Sequence, residues 1–173
     1  RGALEEGGSD DGTFRWLYPY TGTVFPRGIA PPSLQLDGTA ASALYTEITG
    51  PHYRYRQFAS AASPARVVLP DPVWRGLSLT VLPPEKATVS VSKMSGSEVT
   101  GPAKSEWNFA SADLTGIVYY STYNYRSESG SNGAIMRIRA GQDAEVVQSG
   151  CTVCHTVSAN GNVLATGIEY WAE

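Results

Sequence analysis

Short stretches in which apolar and polar residues alternate dominate the chain between residues 30 and 110. In residues 43–49, for example, Leu44, Thr46 and Ile48 would share one face of an extended segment, with the residues between them on the other face. A repeat of two residues is typical of a strand with one buried face, whereas an amphipathic helix repeats every 3.6 residues. The pattern therefore predicts strands, joined by turns rich in glycine and proline.

Six strands are predicted in this region, over residues 33–36, 43–49, 52–58, 66–69, 88–93 and 104–109. In the third of them, Tyr53 and Tyr55 lie opposite Arg54 and Arg56, as expected of a half-buried strand. Residues 71–76 predict a single helical turn, with Asp71 as its cap and a glycine at its end. Closely spaced strands of this kind favour an antiparallel β-sandwich of the immunoglobulin or fibronectin type III kind over residues 18–112.

Beyond Asp113 the pattern changes to that of a small separate β region, residues 113–173. Strands are predicted at 116–121, 133–139, 144–147 and 162–168, with a polar loop at 122–132 and a tight turn at 159–162. Such an order resembles one blade of a β-propeller. Because one blade cannot close a propeller, we expect this sheet to pack on the sandwich or on another chain. The predicted fold class is all-β throughout.

Residues 1–17 are rich in glycine and acidic residues and predict a flexible leader. Its first residues, Arg1-Gly2-Ala3-Leu4, resemble a mature terminus left by removal of a signal or anchor, so we expect an extracytoplasmic protein located in the periplasm, at the cell surface or in the medium. The chain contains no run of 18 apolar residues, and no transmembrane segment is predicted.

Composition and charge exclude some classes of function. At 173 residues the chain can bury roughly 70% of its unfolded surface, and only 17% of its residues are charged. The formal net charge of -3 provides no positive field for a phosphate backbone, so nucleic acid is not an expected partner. The sequence lacks a G-x-S-x-G, P-loop, H-E-x-x-H or dinucleotide-binding motif, and we predict no enzyme activity beyond what a haem could supply.

The feature that carries chemistry is Cys151-Thr152-Val153-Cys154-His155, a C-x-x-C-H sequence. This is the attachment signature of c-type haem. The two thiols are spaced to bind the two vinyl groups of one porphyrin, and the adjacent histidine then serves as the proximal iron ligand. We therefore predict one covalent haem c, bound by Cys151, Cys154 and His155, and electron transfer to redox partner proteins.

Three other interpretations of the cysteine pair remain open: a redox dithiol, a disulfide and part of a zinc site. A structural zinc site needs four ligands, and the other histidine, His52, is distant in sequence. A thioredoxin-type dithiol is expected in a β-α-β context, which the pattern does not predict. A disulfide between the two cysteines would close a very short loop.

A family resemblance adds to these predictions. Residues 18–27, 88–93 and 116–120, together with the stretch Gly150 to Gly161, look like segments of secreted bacterial proteins of the kind found in myxobacteria. In those c-type cytochrome-related proteins, a fibronectin-like domain precedes a propeller-like region with a C-x-x-C-H sequence near its start. The resemblance covers most of the chain after residue 18. It implies export before maturation, since bacteria attach haem c outside the cytoplasmic membrane.

The sixth iron ligand is open at this stage. His52 and Met94 are candidate distal ligands, and Met136 is a weaker one because it alternates in phase with Ala134 and Ile138, as a core methionine would. A ligand from another chain or an open position are the remaining alternatives. Ligand identity matters because replacing methionine with a second histidine lowers the haem potential.

The aromatic residues are expected mainly to pack. This applies to Tyr119, Tyr120, Tyr123 and Tyr125, and to Trp16, Trp74, Trp107 and Trp171. The alternative for the four tyrosines is that they line a haem or stack against a sugar. A rival hypothesis assigns function to the sandwich itself. The protein would then act in cell-surface binding or in filament assembly with homo-oligomer neighbours, its proline-rich N-terminal arm adding to a neighbouring sheet edge, and any haem would be structural or absent.

Overall fold

A computed structural model describes residues 1–10, 12–61, 65–127, 130, 132–150 and 155–166. The described chain is mostly β-structure, with two helices, as the all-β prediction expected. It forms two compact units: Arg1–Arg27 with Pro31–Asp113, and Gly28–Ala30 with Leu114–Glu173. The division falls beside the change of pattern at residue 113, but three residues near position 29 belong to the second unit.

The first unit contains a five-stranded sheet in the order β2-β8-β7-β4-β5. Its strands are β2 (Val24–Arg27), β4 (Ala43–Gly50), β5 (Tyr53–Ser60), β7 (Ala87–Ser95) and β8 (Glu98–Asp113). All neighbours are antiparallel except β2 and β8, which are parallel. Four of these strands lie close to predicted positions, although β8 is much longer than the predicted segment 104–109. Strand β2 was not among the six predicted strands.

A second sheet in the same unit has three strands in the order β1-β3-β6. These are β1 (Trp16–Tyr18), β3 (Leu34–Leu36) and β6 (Arg66–Val67). Leu34, Leu36 and Val67 are buried. The two sheets contact each other through aromatic rings, since Trp16 meets Trp107 of β8 with 5.9 Å between ring centroids.

Four aromatic side chains form the centre of this core: Phe25, Trp74, Trp107 and Phe109. Each is at most 4% exposed. Phe25 lies 5.0 Å from Trp74 and 5.7 Å from Trp107, with the rings edge to face in both pairs. Such geometry adds about 0.5–1.5 kcal/mol per pair beyond burial of area. The expectation that Trp74 and Trp107 pack in a core is confirmed.

The predicted single turn near Trp74 is wrong in length, because a ten-residue helix, α2, spans Asp71–Thr80. Its N-cap is Pro70, and Asp71 is the first helical residue. Gly76, which was expected to end the helix, lies within it; a Cβ there would lie 3.4 Å from the ring of Tyr53. The helix continues because Trp74, Leu77 and Ser78 bury its inner face.

The predicted leader, residues 1–17, is in contact with the first unit where it is described. A short helix, α1 (Gly2–Glu6), buries Leu4. Ser9 forms an isolated parallel bridge with Thr100, and its amide donates to the carbonyl of Val99. The sequence pattern gave no sign of this contact, because only one large apolar side chain of the helix is buried.

The predicted burial of alternate residues along β4 is confirmed for the face toward the core, but one residue of the opposite face is buried too. Leu44, Thr46 and Ile48 are at most 1% exposed, as predicted. Tyr45 points to the opposite face but is only 4% exposed. The ring of Phe58 covers it at 4.8 Å between centroids. The alternation predicted one buried face, and the contact between Tyr45 and Phe58 explains why a residue of the other face is buried as well.

The second unit is built from a three-stranded antiparallel sheet in the order β11-β10-β9. Its strands are β9 (Ile117–Arg126), β10 (Asn132–Arg139) and β11 (Glu145–Ser149). The polar loop predicted at 122–132 is therefore too long, because β9 continues to Arg126 and Thr122 pairs with Ala134. A separate hairpin joins β12 (His155–Val157) and β13 (Leu164–Thr166).

Buried apolar area is scarce in the second unit. Among its described residues, Ala134 and Ile135 are the buried apolar side chains. Neither helix in the described part of the chain could cross a membrane.

Candidate functional site

The structure describes only one of the three predicted haem-binding residues, His155. Cys151 and Cys154 lie outside the described residues. His155 is the first residue of β12 in the second unit. His52 and Met94, the two candidate distal ligands, both belong to the first unit. The structure therefore describes the local setting of His155, and the setting of each distal candidate by itself.

The position of His155 is set by the hairpin that it begins. His155 pairs with Thr166 across the hairpin. At the other end, the Ser158 hydroxyl donates to Asn160 Oδ1 and accepts from the amide of Val163. Gly161 has φ +72°, a conformation that favours glycine, so the predicted turn at 159–162 is confirmed. A tight turn fixes the register of both strands and thus the side on which the His155 ring lies.

The His155 ring has one described side-chain partner, the hydroxyl of Ser121 on β9. The Ser121 oxygen lies 3.0 Å from Nδ1 of His155, within hydrogen-bond distance. Both residues belong to the second unit, and His155 is half-buried. This contact joins the hairpin to the three-stranded sheet.

Strand register determines which side chains share the sheet face of Ser121. Ser121 pairs with Ile135, and Tyr119 pairs with Arg137. Because neighbouring residues of a strand alternate between faces, Met136 points to the opposite face from Ile135. The half-buried Met136 is paired with Tyr120 on that opposite face. Alternation therefore argues against Met136 as an iron ligand beside His155, in agreement with its interpretation as a packing residue.

Two arginines on the Ser121 face share one carboxylate. Arg137 Nε donates to Glu145 Oε1 at 2.6 Å, and Arg139 contacts the same oxygen. The hydrogen bond from Arg137 lowers the pKa of Glu145 below its ordinary value. With two guanidinium groups and one carboxylate, the cluster has a net positive charge at neutral pH.

The two candidate distal ligands differ in their surroundings. His52 lies in the turn between β4 and β5 and is exposed. Met94 is half-buried near the end of β7, paired with Ala43 and Val99.

The tyrosines of β9 are not a packed cluster. Tyr123 is 72% exposed and Tyr120 is 36% exposed, whereas Tyr119 and Tyr125 are half-buried. The hydrogen bond to Glu145 raises the pKa of the Arg137 guanidinium, and Tyr119 contributes in the same direction to a smaller extent. The packing role expected for all four therefore does not extend to the exposed Tyr120 and Tyr123. Trp171 lies outside the described residues.

Within the described ranges, no group of three or more histidine, cysteine, aspartate or glutamate side chains could hold a metal ion. The zinc interpretation depends on Cys151 and Cys154, which those ranges do not include, and it is therefore not tested.

Comparison with known proteins gives no match. Neither family models nor curated proteins nor solved structures show a significant similarity to this chain.

Sequence reasoning missed Ser121 and the arginine pair. Ser121 lies 34 positions before His155, and nothing in the linear sequence indicates that the two side chains meet. Their contact depends on how β12 packs against β9. Arg137 and Arg139 do alternate along a predicted strand, and that spacing could have indicated a charged face.

Proposed function

We propose that the chain is an extracytoplasmic monohaem c-type cytochrome module that acts in electron transfer. Cys151 and Cys154 would bind the porphyrin through thioethers, and His155 would be the proximal ligand. The haem would supply one-electron chemistry. Its iron would gain one electron from a reduced partner protein and pass it to an oxidised one.

The observation that carries this proposal is the orientation of His155 relative to Ser121. A histidine that binds a metal usually donates its other ring N–H to a nearby acceptor, which fixes the ring and its tautomer. With the Ser121 oxygen 3.0 Å from Nδ1, the second nitrogen, Nε2, remains for iron. The residues that are described therefore fit the role that the C-x-x-C-H sequence assigns to His155.

Charge on the same sheet face supports the proposal. A haem has two propionate groups, and paired guanidinium groups are suited to binding carboxylates. Among the described residues, Arg137 and Arg139 share one acidic partner, Glu145, which leaves an excess positive charge in this group of three. We assign them the role of balancing the propionates.

For the first unit we propose an immunoglobulin-like or fibronectin type III-like sandwich. Its two sheets divide the strands as β1-β3-β6 and β2-β8-β7-β4-β5. Strands β1, β3 and β6 would correspond to strands A, B and E of that fold, and β8, β7, β4 and β5 to strands G, F, C and C′. The parallel pairing of β2 with β8 fits a first strand that crosses from one sheet to the other. In this proposal the sandwich is a scaffold or adhesion module for the haem-bearing unit.

The resemblance to secreted bacterial c-type cytochrome-related proteins supports an extracytoplasmic location. Thioether attachment in bacteria takes place outside the cytoplasmic membrane, so a chain that carries haem c must be exported. The proposed location is the periplasm, the cell surface or the medium.

A second candidate function has one observation in its favour. Strand β5 is the outer strand of the five-stranded sheet, is eight residues long and contains no proline. Unpaired edge strands can add a strand from another chain. Cell-surface binding or filament assembly through this edge is the alternative, with haem structural or absent.

Production of the protein in a bacterial host with the haem-attachment machinery tests the main proposal. We expect a purified protein with a reducible haem spectrum of the thioether type, which a Cys151→Ala, Cys154→Ala variant lacks. If the exported and folded wild-type protein from that host were colourless, the main proposal would be wrong. The second candidate, binding or assembly through the β5 edge, would then remain.

A further inference from the structure

The hydroxyl of Ser121 has a clear geometric relation to the predicted iron ligand. We infer that Ser121 is a positioning residue that keeps the proton of His155 on Nδ1, so that Nε2 presents its lone pair for metal binding. This inference deepens the proposed function and rests on it for its biological meaning. The proton position itself can be measured without haem.

Ser121 is well placed for this task because its backbone is fixed by the sheet. It lies in the middle of β9 and pairs with Ile135 of β10, whose side chain is fully buried. The hairpin places His155 at the start of β12, opposite Thr166. The 3.0 Å contact thus joins two backbone segments whose register is set by other interactions.

The chemistry requires one direction for this hydrogen bond. In neutral imidazole one nitrogen carries the proton and the other accepts. If Nδ1 donates to the Ser121 oxygen, Nε2 is free to bind a metal. If the serine instead donated to Nδ1, the proton would be on Nε2, and that nitrogen would have to lose it before it could bind a metal.

The neighbouring position provides a matched control. Thr122 also has a hydroxyl, but it is next to Ser121 on the strand and so points to the other face of the sheet. Its oxygen accepts from the amide of Asn124 instead. Replacing Thr122 with alanine removes a hydroxyl from the same strand and leaves the His155 contact intact.

The first experiment determines the histidine tautomers in the full chain isolated from cells without the haem-attachment machinery, after hydrogen exchange has shown that β9, β10 and β12 are folded in it; if they are not, the second experiment, on the haem-loaded protein, decides. Two-bond nitrogen–proton NMR spectra in mildly alkaline buffer distinguish protons on Nδ1 and Nε2. The chain has two histidines, so the exposed His52 serves as an internal reference. We expect His155 to be protonated on Nδ1 in the wild type, in Ser121→Thr and in Thr122→Ala, and to change toward Nε2 protonation in Ser121→Ala.

A wild-type His155 protonated on Nε2 would overturn the inference, as would an unchanged tautomer in Ser121→Ala. Failure of haem attachment in the wild type would instead count against the proposed function and leave this result valid. The two ideas can therefore fail separately.

The second experiment uses the haem-loaded protein. A hydrogen bond from Nδ1–H increases the basicity of a metal-binding histidine and so favours ferric iron. We expect the midpoint potential of Ser121→Ala to shift upward, with that of Ser121→Thr close to wild type. A Ser121→Ala potential equal to that of Thr122→Ala would contradict a positioning role.

Discussion

The indole of Trp74, on α2, meets that of Trp107, on β8, edge to face with 6.1 Å between ring centroids. Trp107 is fully buried and Trp74 is 3% exposed. Through this contact the helix packs against β8, the longest strand of the five-stranded sheet. Trp16, on the smaller sheet, also contacts the Trp107 ring. Trp107 therefore links three parts of the first unit.

We expect Trp107→Ala to lower the free energy of unfolding of the first unit by about 3–5 kcal/mol, because it leaves a large cavity in the core. Urea unfolding monitored by far-UV circular dichroism measures the change. The control is Tyr123→Ala, at a position 72% exposed, for which a change within about 0.5 kcal/mol is expected. Equal destabilisation by both variants would mean that Trp107 is not central to the core.

A second prediction concerns the contact between the N-terminal segment and β8. A Cβ at Gly8 would overlap the carbonyl oxygen of Val99, so Gly8→Ala should displace the segment. The amide of Ser9, which donates to that carbonyl, should then exchange with solvent much faster. Gly2→Ala is the control, since a Cβ there meets no atom within 4 Å. Fast exchange at Ser9 in the wild type would favour the flexible leader that the sequence predicts.

The ion pairs of Glu145 predict a pH dependence. Because the folded pKa of this carboxyl is lowered, chiefly by the Arg137 hydrogen bond, its contribution to stability is present above its ordinary pKa and is lost as pH falls through the lowered value. Carbon NMR titration of the side-chain carboxyl measures the pKa directly. We expect Arg137→Gln to raise it more than Arg139→Gln does. A larger effect of Arg139→Gln would mean that Arg139, and not Arg137, lowers the pKa of Glu145 more.

Much of the first unit could be predicted from sequence, since burial of one strand face imposes a repeat of two. The core positions Leu44, Thr46 and Ile48 follow from that repeat. Tyr45 does not, because its burial depends on Phe58, a residue of the neighbouring strand. The helix was predicted to end at Gly76, but it continues to Thr80 because Trp74 and Leu77 are buried against the rest of the unit. As with Tyr45, this burial depends on tertiary contacts that the local pattern does not contain.

The candidate site was less predictable. C-x-x-C-H is a local signal, so His155 could be identified from five consecutive residues. Ser121 and Glu145 could not, because their relevance depends on how β9, β11 and β12 pair in space. The extent of β9 was also underestimated, since Tyr123 and Tyr125 favour strands within a segment otherwise rich in loop residues.

Removal of both cysteines should affect the two units differently. We expect Cys151→Ala, Cys154→Ala to abolish haem retention and leave residues 31–113 folded, because that unit has its own aromatic core. The second unit buries little apolar area in the described structure, so loss of the porphyrin should loosen it first, at roughly 25 cal/mol per Å² of apolar surface returned to water. Hydrogen exchange by mass spectrometry measures both units. Equal loss of protection in the two would indicate a single core.

His155→Ala should give a different result from the cysteine variant. If the thioethers still form, the porphyrin stays attached, but the proximal nitrogen is lost and the spin state and potential of the iron should change. Electronic absorption and redox titration detect both changes. His52→Ala and Met94→Ala extend the test to the distal candidates, since a true distal ligand should produce a similarly large change. A His155→Ala spectrum identical to that of the wild type would rule out His155 as the proximal ligand.

The mass of the intact chain tests the central claim most directly. The protein is exported in a bacterium with the haem-attachment machinery, purified, denatured to remove any non-covalent ligand and weighed by mass spectrometry. The account predicts a mass higher than that of the polypeptide by one haem, and no such increase in Cys151→Ala, Cys154→Ala. A wild-type mass equal to that of the bare polypeptide, or lower by two hydrogens as for a disulfide, would contradict it.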